Sequence, residues 1–231
     1  LLWFPLRLYL SVSSGTGNTD VTPIFDEVGA NKLKIAVTKA DGETEIYVEI
    51  EDWDEVGETA NLWVSKSDLT LANDATTTLY IYYDNDHADN DTYVGVVNST
   101  PGAEVWDDNY MAVWHLSESE ANVLDSTSNN NDGTSDLNVT YGQTGQIGKC
   151  ILNGLGYIEG PDSASLDITG EVSVEAWVWK DTNLTTQGKI FSKGQLDGNL
   201  GNYCMLCELA AHNIGWTCRA ASGWRTWYSG L

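Results

Sequence analysis

At 231 residues the chain is long enough for one large domain or two modest ones, each with a core of its own. Its 34 acidic against 11 basic side chains give a net charge of -23. Such a surface repels phosphate backbones and anionic headgroups, which makes nucleic acid and anionic membrane poor partners and favours solubility and cations such as Ca²⁺; neither nucleic-acid binding nor membrane insertion is expected. No apolar run approaches the roughly 18 residues of a membrane-spanning helix.

The apolar start, Leu1 to Leu10, carries Pro5 and Arg7 and is followed by no small-residue cleavage pattern. It reads as a first strand and not as a signal peptide. With no initiator Met, residues upstream of Leu1 are expected to have been removed or left out. From there almost nothing reads as helix. Short alternating segments recur between clusters of Gly, Asn, Asp and Ser.

Lys34–Thr38 leads into Asp41-Gly42, a hairpin signal, and Thr44–Glu51 alternates Ile46, Val48 and Ile50 against Glu45, Tyr47 and Glu49. Asn61–Val64 and Thr78–Tyr83 follow, the latter with Leu79, Ile81 and Tyr83 on one face. After the acidic stretch Asp84–Asp91 and the run Tyr93–Val97 comes Asn98-Ser-Thr-Pro-Gly102, read as a linker. This places domains at 1–98 and 103–231.

In the second half, strands are expected at Met111–Leu116, Gly148–Leu152, Gly156–Glu159, Val172–Lys180, Lys189–Ser192, Tyr203–Ala210, Ile214–Arg219 and Arg225–Tyr228. In Val172–Lys180, Val172, Val174, Ala176 and Val178 fill one face and Trp177 and Trp179 the other. Apolar residues on both faces fit a strand central to a sandwich. The fold class is therefore all-β, with two antiparallel β-sandwich domains.

Candidate chemistry is sparse. Asp84–Asp91 departs from the EF-hand pattern, with Ala88 and Asp89 where an acidic or amide residue and Gly are required, and reads as a solvated turn. Glu49–Glu55 lacks the E-x-D-x-E spacing of jelly-roll glucanases and reads as a strand end and acidic turn. His87, His115 and His212 have no nucleophile elbow to serve, and His115 is taken as a packed strand residue. No catalytic residue is assigned.

Of Cys150, Cys204, Cys207 and Cys218, the pair Cys204 and Cys207 has CxxC spacing but sits in an apolar strand-like run. Structural thiols, with a Cys204–Cys218 cross-strand bridge as the alternative, fit better than zinc. N-glycosylation sequons begin at Asn90, Asn98, Asn138 and Asn183.

Five motifs in order give the second half a family likeness. They are Ala112-Val-Trp-His-Leu116, Leu124-Asp-Ser-Thr-Ser-Asn-Asn-Asn-Asp-Gly133, Gly145-Gln-Ile-Gly-Lys149 with Leu152-Asn-Gly154, Gly156–Leu166, and Val172-Ser-Val-Glu-Ala-Trp-Val178. This half resembles a laminin G-like, concanavalin A-like jelly roll. The first half, through Leu6-Arg-Leu-Tyr-Leu10, Lys34–Thr38, Tyr47–Asp54, Leu62-Trp-Val64 and Leu79–Asp84, resembles a DUF2341-type domain of unknown function. A full jelly roll of this kind takes roughly 150 to 200 residues, so the second domain is expected to be incomplete at its C-terminus.

The resemblance implies a Ca²⁺ site in the 125–133 loop, with Asp125, Asn129 and Asp132 as ligands. The loop residues themselves also fit a turn held by Asx hydrogen bonds, with Gly133 at positive φ. Trp177, Trp179 and Trp224 are the candidate ligand-binding side chains, since sugar rings stack on such faces, although the same rings fill sandwich cores. The expected function is a non-catalytic, extracellular binding or adhesion module for glycan or an extracellular protein, with Ca²⁺ as its one expected cofactor. The alternatives are a structural subunit of a filament, appendage or virion, completed by copies of itself or another chain, and an accessory region of a larger secreted carbohydrate-active enzyme.

Overall fold

The computed structural model describes residues 1–120, 122–154, 156–179, 188–194, 203–207, 214–220 and 223–228, and from residue 206 onward only the backbone of these. Antiparallel β-sheet dominates, as the alternating segments predict. The chain forms two compact units, Leu1–Pro161 and Asp162–Leu231. The segment read as a linker, Asn98–Gly102, lies inside the first of them.

The first unit is built on a six-stranded sheet of β1 (Leu6–Leu10), β2 (Ile35–Lys39), β3 (Glu45–Asp54), β4 (Thr59–Ser65), β5 (Leu79–Tyr83) and β6 (Val94–Val96). The order β1-β4-β3-β2-β5 is antiparallel throughout, and β6 runs parallel to β3. The β2–β3 hairpin turns at Asp41-Gly42. Gly42 takes φ 75°, and the Asp41 carboxylate accepts from the Glu43 and Thr44 N–H groups and the Thr44 hydroxyl. That is the expected turn chemistry.

One face of this sheet carries the core. Ile35, Val37, Ile46, Val48, Ile50, Ala60, Leu62, Val64 and Val94 pack with Leu10 and Leu69. Across them lies α1 (Pro23–Val28), which places Ile24, Phe25 and Val28 in the core. This helix is absent from the strand-only sequence reading. Pro at its start and apolar residues at 24, 25 and 28 are its signals. It is six residues long, so packing rather than intrinsic propensity holds it.

Alternation in β3 is not continuous. A bulge between Ile50 and Asp52 shifts the register, so Ile50 pairs with Leu62 but Trp53 pairs with Ala60. The core-facing set changes from even to odd numbers. Trp53 thereby stacks on Phe25 at 4.8 Å between ring centroids and donates its indole N–H to the Gly29 carbonyl.

α2 (Thr100–Ala103) is the segment read as a linker. Ser99 caps it by accepting from the Gly102 N–H at 3.2 Å. The remaining pieces of this unit are β7 (Asn122–Val123), β8 (Gly133–Ser135), β9 (Val139–Thr144), β10 (Lys149–Asn153) and β11 (Ile158–Glu159). They form a β11-β8-β7 sheet and a β9–β10 hairpin. Met111–Leu116 is not a ladder strand. Its one bridge joins Trp114 to Asp125.

The second unit contains a 3₁₀ turn at Ala164–Leu166 and an antiparallel meander of β12 (Gly188–Lys193), β13 (Tyr203–Cys207), β14 (Ile214–Ala220) and β15 (Gly223–Tyr228). Phe191 stacks on Tyr203, whose hydroxyl donates to the Leu166 carbonyl at 3.0 Å. Lys193 pairs with Asp162 at 2.8 Å and Asp167 at 3.3 Å.

Two expectations change here. Residues 172–179 form no ladder, and Val178 is exposed. An apolar run becomes a central strand only where neighbours take its backbone groups, and among the described residues none does. The expected end of that strand, Lys180, lies outside the described residues. The Cys204–Cys218 bridge is also contradicted. Cys204 is a buried free thiol whose register partner is Thr217, while Cys218 faces Tyr203, so the two cysteines sit one position out of register.

Candidate functional site

The second face of the large sheet is also covered, by a polar and aromatic layer. Register sets Arg7, Trp63 and Glu49 in a row across β1, β4 and β3. Onto this row folds the chain that follows α2. Val105 is fully buried, and Trp106 donates its indole N–H to Glu49 Oε2 at 2.9 Å. His115 then enters between two carboxylates, with Nε2 3.0 Å from Glu49 Oε2 and Nδ1 3.4 Å from Glu51 Oε2.

The rings of Trp63, Trp106 and Tyr110 enclose this cluster. Trp63 stacks on His115 at 5.7 Å and donates to Glu51 Oε2 at 2.7 Å, and Trp106 lies 5.2 Å from Tyr110. The side chains of Glu49, Glu51 and His115 are 0%, 2% and 6% exposed. Burial alone would push the imidazole towards its neutral form. The hydrogen bond and charge of Glu49, joined by Glu51 and Glu118, outweigh it and hold the His115 pKa above its ordinary value. The carboxylate pair and the imidazole are thus closed off from solvent.

The 125–133 loop is equally self-contained. Asp125, fully buried, accepts at Oδ1 from the N–H groups of Val113 and Thr127, both at 2.9 Å. At Oδ2 it accepts from the Thr127 hydroxyl at 2.9 Å and the Asn131 N–H at 2.8 Å. Asp132 accepts from the Asp125 N–H at 2.8 Å and from the Asn98 amide at 3.2 Å. Asn129 donates its amide to the Tyr110 and Met111 carbonyls.

Asp125, Asn129 and Asp132 lie in one loop, and their polar atoms face donors and acceptors of that loop and of Asn98, Tyr110, Met111 and Val113. Among the described residues no group of three or more His, Cys, Asp or Glu side chains is arranged to hold a metal ion. Positive φ falls on Asn130 (52°) and not on Gly133. Gly133 is needed for another reason: a Cβ there would meet Ile158 Cγ2 at 2.6 Å.

Comparison with family models, with curated proteins and with solved structures returned no significant match.

A shallow groove of about 510 Å³ is lined by Asp132, Thr134, Ser135, Asp136, Tyr157 and Glu159. In the second unit, Trp177 and Trp179 are 77% and 83% exposed at alternating positions. Trp224 lies where only the backbone is described, so its expected role falls outside the described side chains. No described helix is long and apolar enough to cross a membrane.

Sequence reasoning missed the buried cluster. It placed Glu49 and Glu51 at a strand end running into an acidic turn, and His115 in a strand as a packed residue. The available signal was the i, i+2 glutamate pair on the polar face of β3. Nothing in sequence spacing joins that pair to a histidine 66 positions away.

Proposed function

We propose that this chain is a non-catalytic, extracellular binding module that presents aromatic side chains to a glycan or protein partner. The observation that carries the reading is the exposure of Trp177 and Trp179. Indole rings left in water forgo burial worth about 1.5–3 kcal/mol each, and paired exposed aromatics are the usual anchors of stacking interfaces. The charge of -23 favours neutral or cationic partners over anionic ones. The hydrogen-bonded state of the 125–133 loop supports binding that proceeds without Ca²⁺.

The test is a glycan array and a panel of extracellular proteins probed with the whole chain, with and without chelator. Retained signal in chelator that falls at least tenfold in the Trp177→Ala/Trp179→Ala double variant supports the reading. Equal signal from the double variant refutes it.

A second reading, a structural subunit completed by a neighbouring chain, draws on the sheet edges. Among the described residues β12 and β15 have one ladder partner each. A strand added from another chain would occupy such an edge. Light scattering separates the two readings, because a strict monomer at all concentrations is incompatible with the second.

A further inference from the structure

The chain between α2 and β7 is held to the sheet by an unusual set of contacts. From Val105 to Glu118 its backbone forms no ladder with the six-stranded sheet. Its attachment runs through side chains: Val105, Trp106 and, above all, His115. Immediately after His115, Leu116 sits at φ 60°, a left-handed conformation that a branched side chain adopts only when its surroundings hold it there.

We propose that the Glu49–His115–Glu51 cluster is a proton-operated clasp that fastens the segment 105–118 to the sheet and releases it as pH rises. Only the doubly protonated imidazole can donate to Glu49 and Glu51 at once. A neutral ring donates from one nitrogen and turns a lone pair towards the other carboxylate.

The charges facing the ring make its proton hard to replace. β3 contributes Glu49 and Glu51, the segment itself contributes Glu118, and β4 contributes the uncharged Trp63. Glu49 Oε1 and Glu118 Oε2 are buried with no hydrogen-bond partner. Among the described residues no Lys or Arg pairs with any of the three glutamates. Arg7, in the same row as Glu49, is engaged by Asn61 Oδ1 at 3.0 and 2.5 Å. Loss of the His115 proton therefore leaves buried carboxylates without a cation, the arrangement that costs most in a protein interior.

The direction follows from linkage. His115 binds its proton more tightly in the closed state than in the open one. The clasp is at full strength below the ordinary histidine value of about 6.5. It weakens as pH rises from there through the raised closed-state value, and opening becomes tenfold easier per pH unit in that interval.

Hydrogen exchange of the whole chain, resolved by peptide and expressed as protection factors from pH 6 upward, tests this. Protection over 105–118 is expected to fall as pH rises while β3 and β4 keep theirs. In His115→Gln the segment should be weakly protected at every pH, with no pH dependence. Should that variant fail to fold, Glu51→Gln should hold the segment less tightly at low pH and lose less protection than wild type as pH rises. Parallel behaviour of segment and sheet at all pH values, or wild-type pH dependence in either variant, overturns the proposal.

Discussion

His115 Nε2 lies 3.0 Å from Glu49 Oε2, and the two residues are 66 positions apart in the sequence. This contact ties the chain that leaves the first sheet back onto the polar face of its longest strand. It converts a face that would otherwise meet water into a second buried layer.

Breaking that contact should be expensive. Glu49→Ala leaves a buried imidazole and the Trp106 indole N–H without their shared partner. The expected loss is about 3–5 kcal/mol of unfolding free energy, the range for one partner removed from a buried pair. Urea denaturation of the variant and wild type at pH 6 measures it. A loss below about 1 kcal/mol would mean that the layer is held by its aromatic rings alone.

Gly102 sets how closely α2 approaches β3. A Cβ at this position would meet the Val96 carbonyl oxygen at 2.6 Å and Ser99 Oγ at 2.9 Å, with Glu49 Cγ at 3.4 Å. Backbone cannot move aside as a flexible side chain does, so Gly102→Ala should cost about 1–3 kcal/mol. Gly95→Ala should behave similarly, since its Cβ would meet Pro101 Cγ at 2.7 Å. Thermal melts of both variants check this, with Gly170→Ala as the control because nothing lies within 4 Å of a Cβ there.

Asp125 holds its loop with four accepted hydrogen bonds. Asp125→Ala leaves several donors unpaired in a buried site and should cost upwards of about 3 kcal/mol, at roughly 1–3 kcal/mol for each unsatisfied group. Addition of chelator to wild type should leave the melting midpoint unchanged. A chelator-induced fall in the midpoint, restored by Ca²⁺, would show instead that the loop opens to take up a cation.

The β2–β3 turn has its own acid limit. Hydrogen bonds from the Thr44 hydroxyl, then from the Thr44 and Glu43 N–H groups, lower the Asp41 pKa to about 2. A depressed carboxyl stabilises the fold above its unfolded pKa of about 3.9 and loses that contribution as pH falls through 2. Carboxyl NMR should place the Asp41 midpoint well below those of other exposed aspartates. Thr44→Val, which removes the hydroxyl donor, should move it upward.

The sequence patterns that proved legible were those in which local chemistry decides the outcome. Ile46, Val48 and Ile50 alternate because one face of β3 meets the core, and Asp41-Gly42 fits only a tight turn. Periodicity says that Glu49 and Tyr47 occupy the opposite face, but it cannot say what covers that face. The cover comes from Trp106 and His115, brought there by tertiary folding. The same limit explains Trp53, whose inward placement depends on a bulge that shifts the alternation after Ile50. It also explains residues 172–179, an apolar alternating run that has no ladder partner among the described residues.

The loop at 125–133 was legible as a dense Asx-rich turn, and Trp177 and Trp179 as rings sharing one side. Which reading each would take depended on partners that spacing does not encode. For Asp125 they are donors from its own loop, at Thr127 and Asn131, and from Val113 in the preceding segment.

The most direct test of the buried clasp is an NMR titration of the His115 ring. The chain has three histidines, so the His115→Gln variant assigns its resonance unambiguously. The structure predicts a midpoint for His115 above the ordinary value of about 6.5. A midpoint at or below about 6.5 would contradict an imidazolium held between Glu49 and Glu51.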